Sequence, residues 1–585
     1  LGLAALPLAY RLFRWLPGRG YAFAKPLGLL LTSYILWLGT SLGYLRNTVG
    51  GALVSIAATI TLSLLWYTSR QRDSASSLLA FIRDHWRLIL TVEILFTMGF
   101  LVWSGLRAYA PDKIMSSGGE KFMEIAFLNA IRQSKTFPPR DPWLSGFAIS
   151  YYYFGYVMMA LLTQLSGVLP GVGFELYDAL MFALTLTGAL GVVYSLIAEL
   201  GRSHTGDRRP ILYGLLGSLF VAVMGNLEGL LEALYARGLL PSAFWRWIDI
   251  PDLLAVGQVT GSWYPGHGWW WWRASRVIRD RNLIGEPMPL NPIDEFPFFS
   301  FLLGDNHPHV MALPFVLLAI ALAYNLLRRQ RCRASGASAT GQAVWWNPVA
   351  YTLDGDWALF ASYAVGLGAL AFLNTWDFPI YVGLTALAYA VGRHVTGNGS
   401  VHDIIQRTAV LALGLTLTGV LLYLPFYVGF SSQAGGIVPY LLPPTRLAQY
   451  LVLFGPFVFV AAWYLIARLL TTARDAGTWT SLARSWAVVA LLPLLLLGMA
   501  LLAITLSEPG RLLLEGLLSD RGVQEAVGAD TPAAMVKAVI IGKLSDPWLF
   551  LTLSLLIAAA TVGVLTPWRA RRRETSSLAP NGQFA

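Results

Sequence analysis

Long, uninterrupted apolar runs constrain the fold of this chain more than any other feature. Hydrophobic residues make up 56% of its 585 residues. Many runs approach the roughly 20 residues that a helix needs to cross a bilayer. Because the runs are continuous rather than alternating, they indicate helices rather than strands. The sequence therefore predicts an all-α polytopic membrane protein.

The apolar runs define about twelve membrane-spanning helices. We place them at 28–45, 49–68, 88–109, 174–199, 211–235, 299–326, 357–374, 378–393, 404–428, 447–470, 485–507 and 547–567. Arginines concentrate in alternate connections, and such residues favour the cytoplasmic side. This bias predicts a multi-pass protein of the cell membrane with cytoplasmic termini, and it makes the run at 151–168 interfacial rather than spanning.

This topology predicts a single transmembrane domain over residues 1–568 and a basic, polar cytoplasmic tail at 569–585. The outer loops would be 110–173, 237–298, 429–446 and 508–546. The net charge of +10 arises from arginines and lysines in the connections, so we assign it to topology. We expect no nucleic-acid partner.

A polar segment, Gly118–Tyr153, interrupts the apolar runs. Only 13% of the chain is charged, yet this segment contains seven charged side chains, among them Glu120 and Glu124. These two carboxylates are one helical turn apart and share a face. One of them could act as a general base, with its pKa raised by apolar surroundings. The alternative is the solvated face of an amphipathic connector.

The same segment continues into a proline-rich stretch and a tyrosine triplet. Arg140 has a planar guanidinium that suits phosphate or carboxylate, although Arg140 and Asp141 could equally only shape the loop. Tyr151, Tyr152 and Tyr153 fit an aromatic belt at the bilayer edge. The alternative for these tyrosines is a wall that binds a sugar or a lipid headgroup.

Two further polar groups are predicted to reach the outer face. Arg273 and Arg276 lie in the 237–298 loop, where arginines run against the charge rule and could bind an anion such as a lipid phosphate. Asn374 and Asp377 interrupt two apolar runs at the same predicted face. We include these four residues among the candidate substrate-binding residues.

The motif GDNHPH, residues 304–309, brings an acid and two histidines into an apolar run. In an extended stretch Asp305, His307 and His309 would point the same way. Carboxylate and imidazole suit zinc or manganese, so a divalent metal is the one cofactor that the sequence suggests. The alternative is polar packing among helix ends, with Pro308 interrupting the helix.

Several of these motifs resemble the YYY-motif integral membrane proteins, a family named for its tyrosine triplet and without a known function. The motifs are GGEKFMEIAFLNAI, FPPRDPW, YYYFGY, WWWWRASRVI, EFPFFSFLLGDNHPH and FLNTWDFP, and they cover nearly the whole chain. Segment 120–200 is also similar to the start of GT-C glycosyltransferases, such as protein O-mannosyltransferases and aminoarabinose transferases. In those enzymes an acidic pair opens a juxtamembrane helix in the first outer loop.

The resemblance implies a GT-C-like fold with juxtamembrane helices on the outer face. It further implies an inverting sugar transfer from a polyprenyl-phosphate donor to an acceptor that the acid deprotonates. Glu120 takes the place of the acidic residue, but Lys121 replaces the second acid. The base therefore stays open between Glu120, Glu124 and Asp112. The candidates for the donor phosphate are Lys121, Arg140, Arg273 and Arg276, and Asp305, His307 and His309 are candidates for a metal or the leaving phosphate.

A non-enzymatic protein is the alternative, either a transporter of lipids or small molecules or a structural subunit of a membrane complex. A transporter is expected to carry polar residues through the middle of the membrane and often an inverted repeat. Here the polar residues gather at one predicted face, and the sequence shows no repeat. The partners expected for the enzyme are a lipid-linked sugar donor and membrane lipids; the sequence names no protein partner.

Overall fold

A computed structural model describes residues 1–69, 77–110, 119–200, 207–251, 253, 260–266, 270–288, 292–333, 344–432, 440–472, 476–519, 524 and 527–577. Helices are the dominant secondary structure within these ranges. The described residues contain no β-strand and two isolated β-bridges, Arg140 with Ala148 and Arg281 with Pro287. The prediction of an all-α protein is confirmed.

Most of the described residues lie in α-helices. They are α1 (Gly2–Leu12), α2 (Ala24–Ser41), α3 (Val49–Ser69), α4 (Leu78–Asp84), α5 (Trp86–Tyr109), α6 (Lys121–Gln133), α7 (Phe154–Ser166), α8 (Pro170–Leu200), α9 (Arg209–Ala222), α10 (Glu228–Ala236), α11 (Ser242–Ile248), α12 (Pro297–Leu303), α13 (Pro308–Arg333), α14 (Pro348–Leu353), α15 (Trp357–Leu373), α16 (Asp377–Thr396), α17 (Val401–Leu422), α18 (Leu424–Gly429), α19 (Leu447–Thr472), α20 (Ala476–Leu506), α21 (Glu508–Leu518), α22 (Pro532–Ser545) and α23 (Trp548–Ser577).

Eight helices in the described ranges are long and apolar enough to cross a membrane. A ninth span results if α22 and the start of α23, bent by 64° at their junction, count as one. The eight correspond to eight of the twelve predicted spans. The other four predictions fall at 211–235, 357–374, 378–393 and 547–567. A polytopic membrane protein is thus confirmed, whereas the count of twelve is not.

The prediction of one continuous helix over 211–235 is wrong. The chain leaves the helical conformation between α9 and α10, around Asn226. The Asn226 amide donates to the Ala274 carbonyl at 2.6 Å, and its side-chain oxygen accepts from the Glu228 N–H at 3.0 Å. Asparagine side chains that bond to the backbone in this way compete with the helical ladder, so the hydrophobic run divides into two short helices.

The helix that follows the tyrosine triplet is short. α7 has 13 residues, fewer than the roughly 20 that span a bilayer. It is nonetheless buried along most of its length, from Phe154 to Leu161. This segment therefore packs inside the protein, where the sequence predicted an interfacial position.

The described residues form two compact units. The first unit comprises Leu1–Met224 and Ser300–Ala434, and the second comprises Gly225–Phe299 and Gly435–Ala585. The described residues of the second unit form three apolar clusters, around Trp245 and Val277, around Leu514 and Met535, and around Leu469 and Val562. The sequence predicted a single domain over 1–568, and it contained no composition shift that would separate the units.

An aromatic cluster forms the core of the first unit. Trp37 of α2 is fully buried. Its ring stacks on Tyr423, with 5.6 Å between the ring centroids, and packs at an angle against Phe372, with 5.0 Å between the centroids. Phe154 of α7 stacks on Phe372 at 4.9 Å. Large aromatic rings gain more from such contacts than from burial alone. The cluster joins helices that are distant in sequence and fixes the position of the tyrosine triplet beside it.

We expect Trp37→Ala to destabilise the protein by about 3–5 kcal/mol, because it leaves a cavity among buried rings. The measurement is thermal unfolding of the purified protein in detergent. Trp463→Ala on α19 is the matched control, since the Trp463 side chain is 69% exposed. Equal losses of melting temperature in the two variants would contradict the assigned core.

Candidate functional site

Polar side chains from five segments meet at one end of the first unit. The segments are the last turn of α5, the starts of α6 and α8, the tyrosine triplet, and residues 304–309, which comprise the turn 304–307 and the first residues of α13. We call Glu120, Glu124, Asp305, His307 and Tyr151 the carboxylate site. It brings together two sequence motifs that are more than 180 residues apart.

Beneath the carboxylate site lies a buried arginine. The Arg107 Nε donates to Glu175 Oε2 at 2.5 Å and lies 3.9 Å from Asp178 Oδ2. Asp178 also accepts from the Trp103 indole at 2.9 Å. Buried charges are tolerated when they are paired in this way. The opposed charges anchor α5 to the start of α8.

Gly304, the first residue of the turn 304–307, packs directly on Arg107. Gly304 has a positive φ of 66°, which glycine adopts most readily. A β-carbon at this position would collide with the Arg107 guanidinium. Position 304 therefore requires glycine for two reasons: its backbone conformation and the close approach of the Arg107 guanidinium.

Glu124 is the buried member of the carboxylate site. Its Oε2 accepts from the Asn306 N–H at 2.9 Å, and its Oε1 accepts from the Tyr156 hydroxyl at 3.4 Å. Burial, then a hydrogen bond with Asp305, then the Asp305 charge raise the pKa of Glu124 well above its usual range. Two carboxyl groups this close share a proton rather than ionise together. The raised pKa favours the protonated form of Glu124, whose hydroxyl can donate a hydrogen bond to Asp305.

Asp305 connects this buried pair to the start of α6. Its Oδ2 accepts from the Glu120 N–H at 3.1 Å, while its Oδ1 is buried and is reached by no N–H or hydroxyl of the described residues. In this geometry the hydroxyl of a protonated Glu124 can donate a hydrogen bond to Asp305 Oδ1. Gly119, with a φ of 84°, allows the approach, because a β-carbon there would lie 2.6 Å from Asp305 Oδ2.

Glu120 is the accessible member of the site, with 49% of its side chain exposed. Its Oε2 lies 3.3 Å from His307 Nε2 and accepts from the Tyr151 hydroxyl at 3.3 Å. The other ring nitrogen of His307 is 2.6 Å from His309 Nδ1. The His309 imidazole in turn interacts electrostatically with Asp377. A line of titratable groups therefore extends from Glu120 across the turn to the start of α16.

Lys121 belongs to the buried charges rather than to the accessible surface. It is 1% exposed. Burial and the nearby Arg107 charge lower its pKa, against the opposing effect of three acidic side chains, Asp305, Glu175 and Glu124. This position favours a structural role, because a donor phosphate would have to displace the packing around Lys121.

The other predicted substrate residues lie in several places. Asn374 donates to Asp377 at 3.1 Å at the start of α16. Tyr152 contacts Phe430 at 5.4 Å, and Tyr153 is buried against Phe372. Of the tyrosine triplet, only Tyr151 therefore joins the carboxylate site.

Arg140 and Asp141 line a separate cleft of about 610 Å³ beside the outward face of α6. Asp141 accepts from the Trp143 and Leu144 N–H groups at 2.8 Å each, so it shapes the loop. Arg140 is exposed. This arrangement agrees with the loop-shaping alternative for Asp141 and leaves Arg140 accessible.

Arg273 and Arg276 belong to the second unit and have partners there. Arg273 forms an ion pair with the buried Glu232, and Arg276 lies 4.2 Å over the Trp272 ring. Their assignment to a donor phosphate stays a prediction. The third candidate base, Asp112, lies outside the described residues.

The structure does not test the prediction of a metal site. Within the described ranges, no group of three or more histidine, cysteine, aspartate or glutamate side chains is placed to hold a metal ion. The Asp305 carboxylate turns toward the Glu120 N–H, and the two histidines face each other through their Nδ1 atoms. A divalent metal at Asp305, His307 and His309 stays a prediction, and we assign no chemical step to it.

Sequence reasoning missed the groups beneath the site. Arg107, Glu175, Asp178 and Tyr156 all contribute to it. The available signal was the presence of charged residues at the ends of apolar runs, where an ionisable side chain is costly unless it has a function or a partner.

The raised pKa of Glu124 predicts how stability depends on pH. The pKa of Glu124 is higher in the folded protein than in the unfolded chain, where it is about 4.3. Protonation of Glu124 therefore contributes its full stabilisation below pH ~4.3, and this stabilisation is lost as the pH rises through the folded-state pKa. Glu124→Gln keeps a neutral side chain of the same shape. We expect its melting temperature to rise relative to wild type between about pH 5 and about pH 8.

The matched control for this measurement is Glu508→Gln, which changes an exposed glutamate in the first turn of α21. Its difference from wild type should stay constant over the same pH range. A constant difference for Glu124→Gln as well would show that Glu124 is ionised in the folded protein.

Comparisons with known proteins place the chain in a family. A family model described as "Uncharacterized membrane protein (DUF2298)" matches residues 31–578. No curated protein and no solved structure matches the chain. The match agrees with the spanning helices and includes the whole carboxylate site. The protein therefore belongs to the DUF2298 family of uncharacterised membrane proteins.

Proposed function

We propose that the protein is a GT-C-like membrane glycosyltransferase that moves a sugar from a polyprenyl-phosphate donor to a hydroxyl acceptor. The observation that carries the proposal is the environment of Glu120. A half-exposed carboxylate opens a helix of a membrane protein and lies within 3.3 Å of an imidazole and a phenol. Such a group is suited to accept a proton from an acceptor hydroxyl.

Two features support Glu120 over Glu124 as the base. Glu120 is accessible, whereas Glu124 is fully buried. The raised pKa of Glu124 keeps it protonated, and a protonated carboxyl cannot accept the acceptor's proton. Glu124 instead supports Glu120 through Asp305, which accepts from the Glu120 N–H.

The reaction proceeds in one displacement. The acceptor oxygen forms a bond to the anomeric carbon of the sugar while Glu120 takes the hydroxyl proton. The bond between the anomeric carbon and the phosphate oxygen breaks, and polyprenyl phosphate departs with the electron pair. Inversion at the anomeric carbon follows from attack opposite the leaving group.

Groups beside Glu120 would stabilise the departing phosphate. His307 and the Tyr151 hydroxyl lie 3.3 Å from Glu120, and His309 lies beside His307; all three side chains are half-buried, and each can donate a hydrogen bond. Donors that are already in place stabilise developing negative charge without reorganising. Arg140 is the accessible arginine that the sequence associates with the donor. Because arginines concentrate in the connections that we assign to the cytoplasm, we place this end of the first unit on the outside of the cell.

Glu120→Gln tests the proposal. Membranes that contain the protein are supplied with radiolabelled polyprenyl-phosphate hexoses, and transfer of label from the carrier lipid is measured. We expect the rate to fall by about 10²–10⁴-fold, the usual contribution of a general base. Glu508→Gln is the matched control and should transfer at the wild-type rate.

Three outcomes distinguish the proposal from its alternatives. Unchanged transfer in Glu120→Gln would remove Glu120 as the base. Movement of the labelled lipid across the membrane without cleavage of its sugar bond would indicate a transporter. If the labelled lipids show neither sugar transfer nor movement across the membrane with any hexose carrier, the result would favour a structural subunit.

A further inference from the structure

A groove opens between membrane-spanning helices of the first unit, apart from the carboxylate site. Two adjacent cavities of about 460 Å³ and 280 Å³ share the lining residues Phe96, Leu162 and Leu180, and together we call them the groove. Along α8 the groove extends from Leu184 to Gly173, about 16 Å at the helical rise of 1.5 Å per residue. This length is about half of the ~30 Å hydrocarbon core of a bilayer.

The walls of the groove are apolar along most of this length. They come from α1, α2, α5, α7 and α8, and of these α2, α5 and α8 qualify as membrane spans. Only 22% of the most apolar window of α5 is buried inside the protein, so this helix faces the bilayer. An apolar groove that opens toward lipid is accessible to a hydrocarbon chain.

One end of the groove is charged. Lys25 and Glu93 form an ion pair there and keep 24% and 40% of their side chains exposed. The Tyr21 hydroxyl donates to Glu93 Oε1 at 2.9 Å. Glu93 lies within an otherwise apolar span, where an ionisable side chain is costly and commonly functional.

Lys25, Glu93 and the Tyr21 hydroxyl already satisfy one another, but part of the ion pair remains exposed at this end of the groove. The pair offers a cation and an anion side by side. A headgroup that also contains both signs complements it, with its ammonium against Glu93 and its phosphate against Lys25.

We propose that this groove binds one phospholipid, with a hydrocarbon chain along Phe96, Leu162 and Leu180 and an aminoethyl-phosphate headgroup at Lys25 and Glu93. The occupant is a zwitterionic lipid of the surrounding bilayer. This inference does not depend on sugar transfer at Glu120. It assigns the groove a specific lipid, whose binding stabilises the contact between α2 and α5.

Photo-crosslinking tests the proposal directly. The full-length protein is reconstituted in vesicles of phosphatidylethanolamine and phosphatidylglycerol, with either lipid carrying a photoactivatable group in the middle of one chain. Labelled peptides are then mapped by mass spectrometry. We expect the phosphatidylethanolamine probe to label the peptides containing Phe96, Leu162 and Leu180 more than the phosphatidylglycerol probe does.

Two variants and one control sharpen the test. Leu180→Trp fills the groove and should lower this labelling by roughly tenfold, because several methylene groups lose their binding surface. Glu93→Gln should leave the groove intact and abolish the preference for phosphatidylethanolamine. Leu101→Trp places the same bulk on an exposed position of α5 and should leave the labelling unchanged.

The opposite results would overturn the proposal. Equal labelling of the groove and of the bilayer-facing residues of α5 would mean that no lipid is held there. Undiminished labelling in Leu180→Trp would mean the same. Equal or stronger labelling by phosphatidylglycerol would exclude the proposed headgroup.

Discussion

The interaction on which the site depends is the contact between the Glu124 carboxyl and the Asp305 carboxylate. It joins the first turn of α6 to the turn before α13, and Glu124 and Asn306 in these two segments are 182 residues apart in the sequence. The Asn306 N–H donates to Glu124 and the Glu120 N–H donates to Asp305, so backbone bonds reinforce the contact from both sides. If the two carboxyl groups repelled each other, Glu120 and His307 would not be held together.

The surrounding charges make this contact tolerable. Arg107 and Lys121 are both buried. They lie among four acidic side chains: Glu175, Asp178, Glu124 and Asp305. Removing one partner from such a network leaves an uncompensated buried charge, which is more costly than the network itself. The result is a rigid, buried layer with one accessible carboxylate, Glu120, at its edge. Rigid support of this kind is what a catalytic side chain requires.

The sequence predicted the class of fold and the main members of the site, for different physical reasons. Long apolar runs are determined by bilayer thickness, so eight spans could be located without a structure. The motifs around Glu120 and His307 were visible because polar residues are rare beside membranes. Their contact was not predictable, since it depends on tertiary packing. The same packing buries Lys121, which the sequence could not separate from an accessible cation, and a single asparagine interrupts the predicted helix at 211–235.

The proton on Glu124 is the central claim of this account, and infrared spectroscopy measures it most directly. A protonated carboxylic acid has a C=O stretching band that an ionised carboxylate lacks. The account predicts such a band in the wild-type protein at neutral pH and its loss in Glu124→Gln. An identical carboxylic-acid band in both proteins, or no such band in the wild type, would show that Glu124 is ionised and would contradict the shared proton.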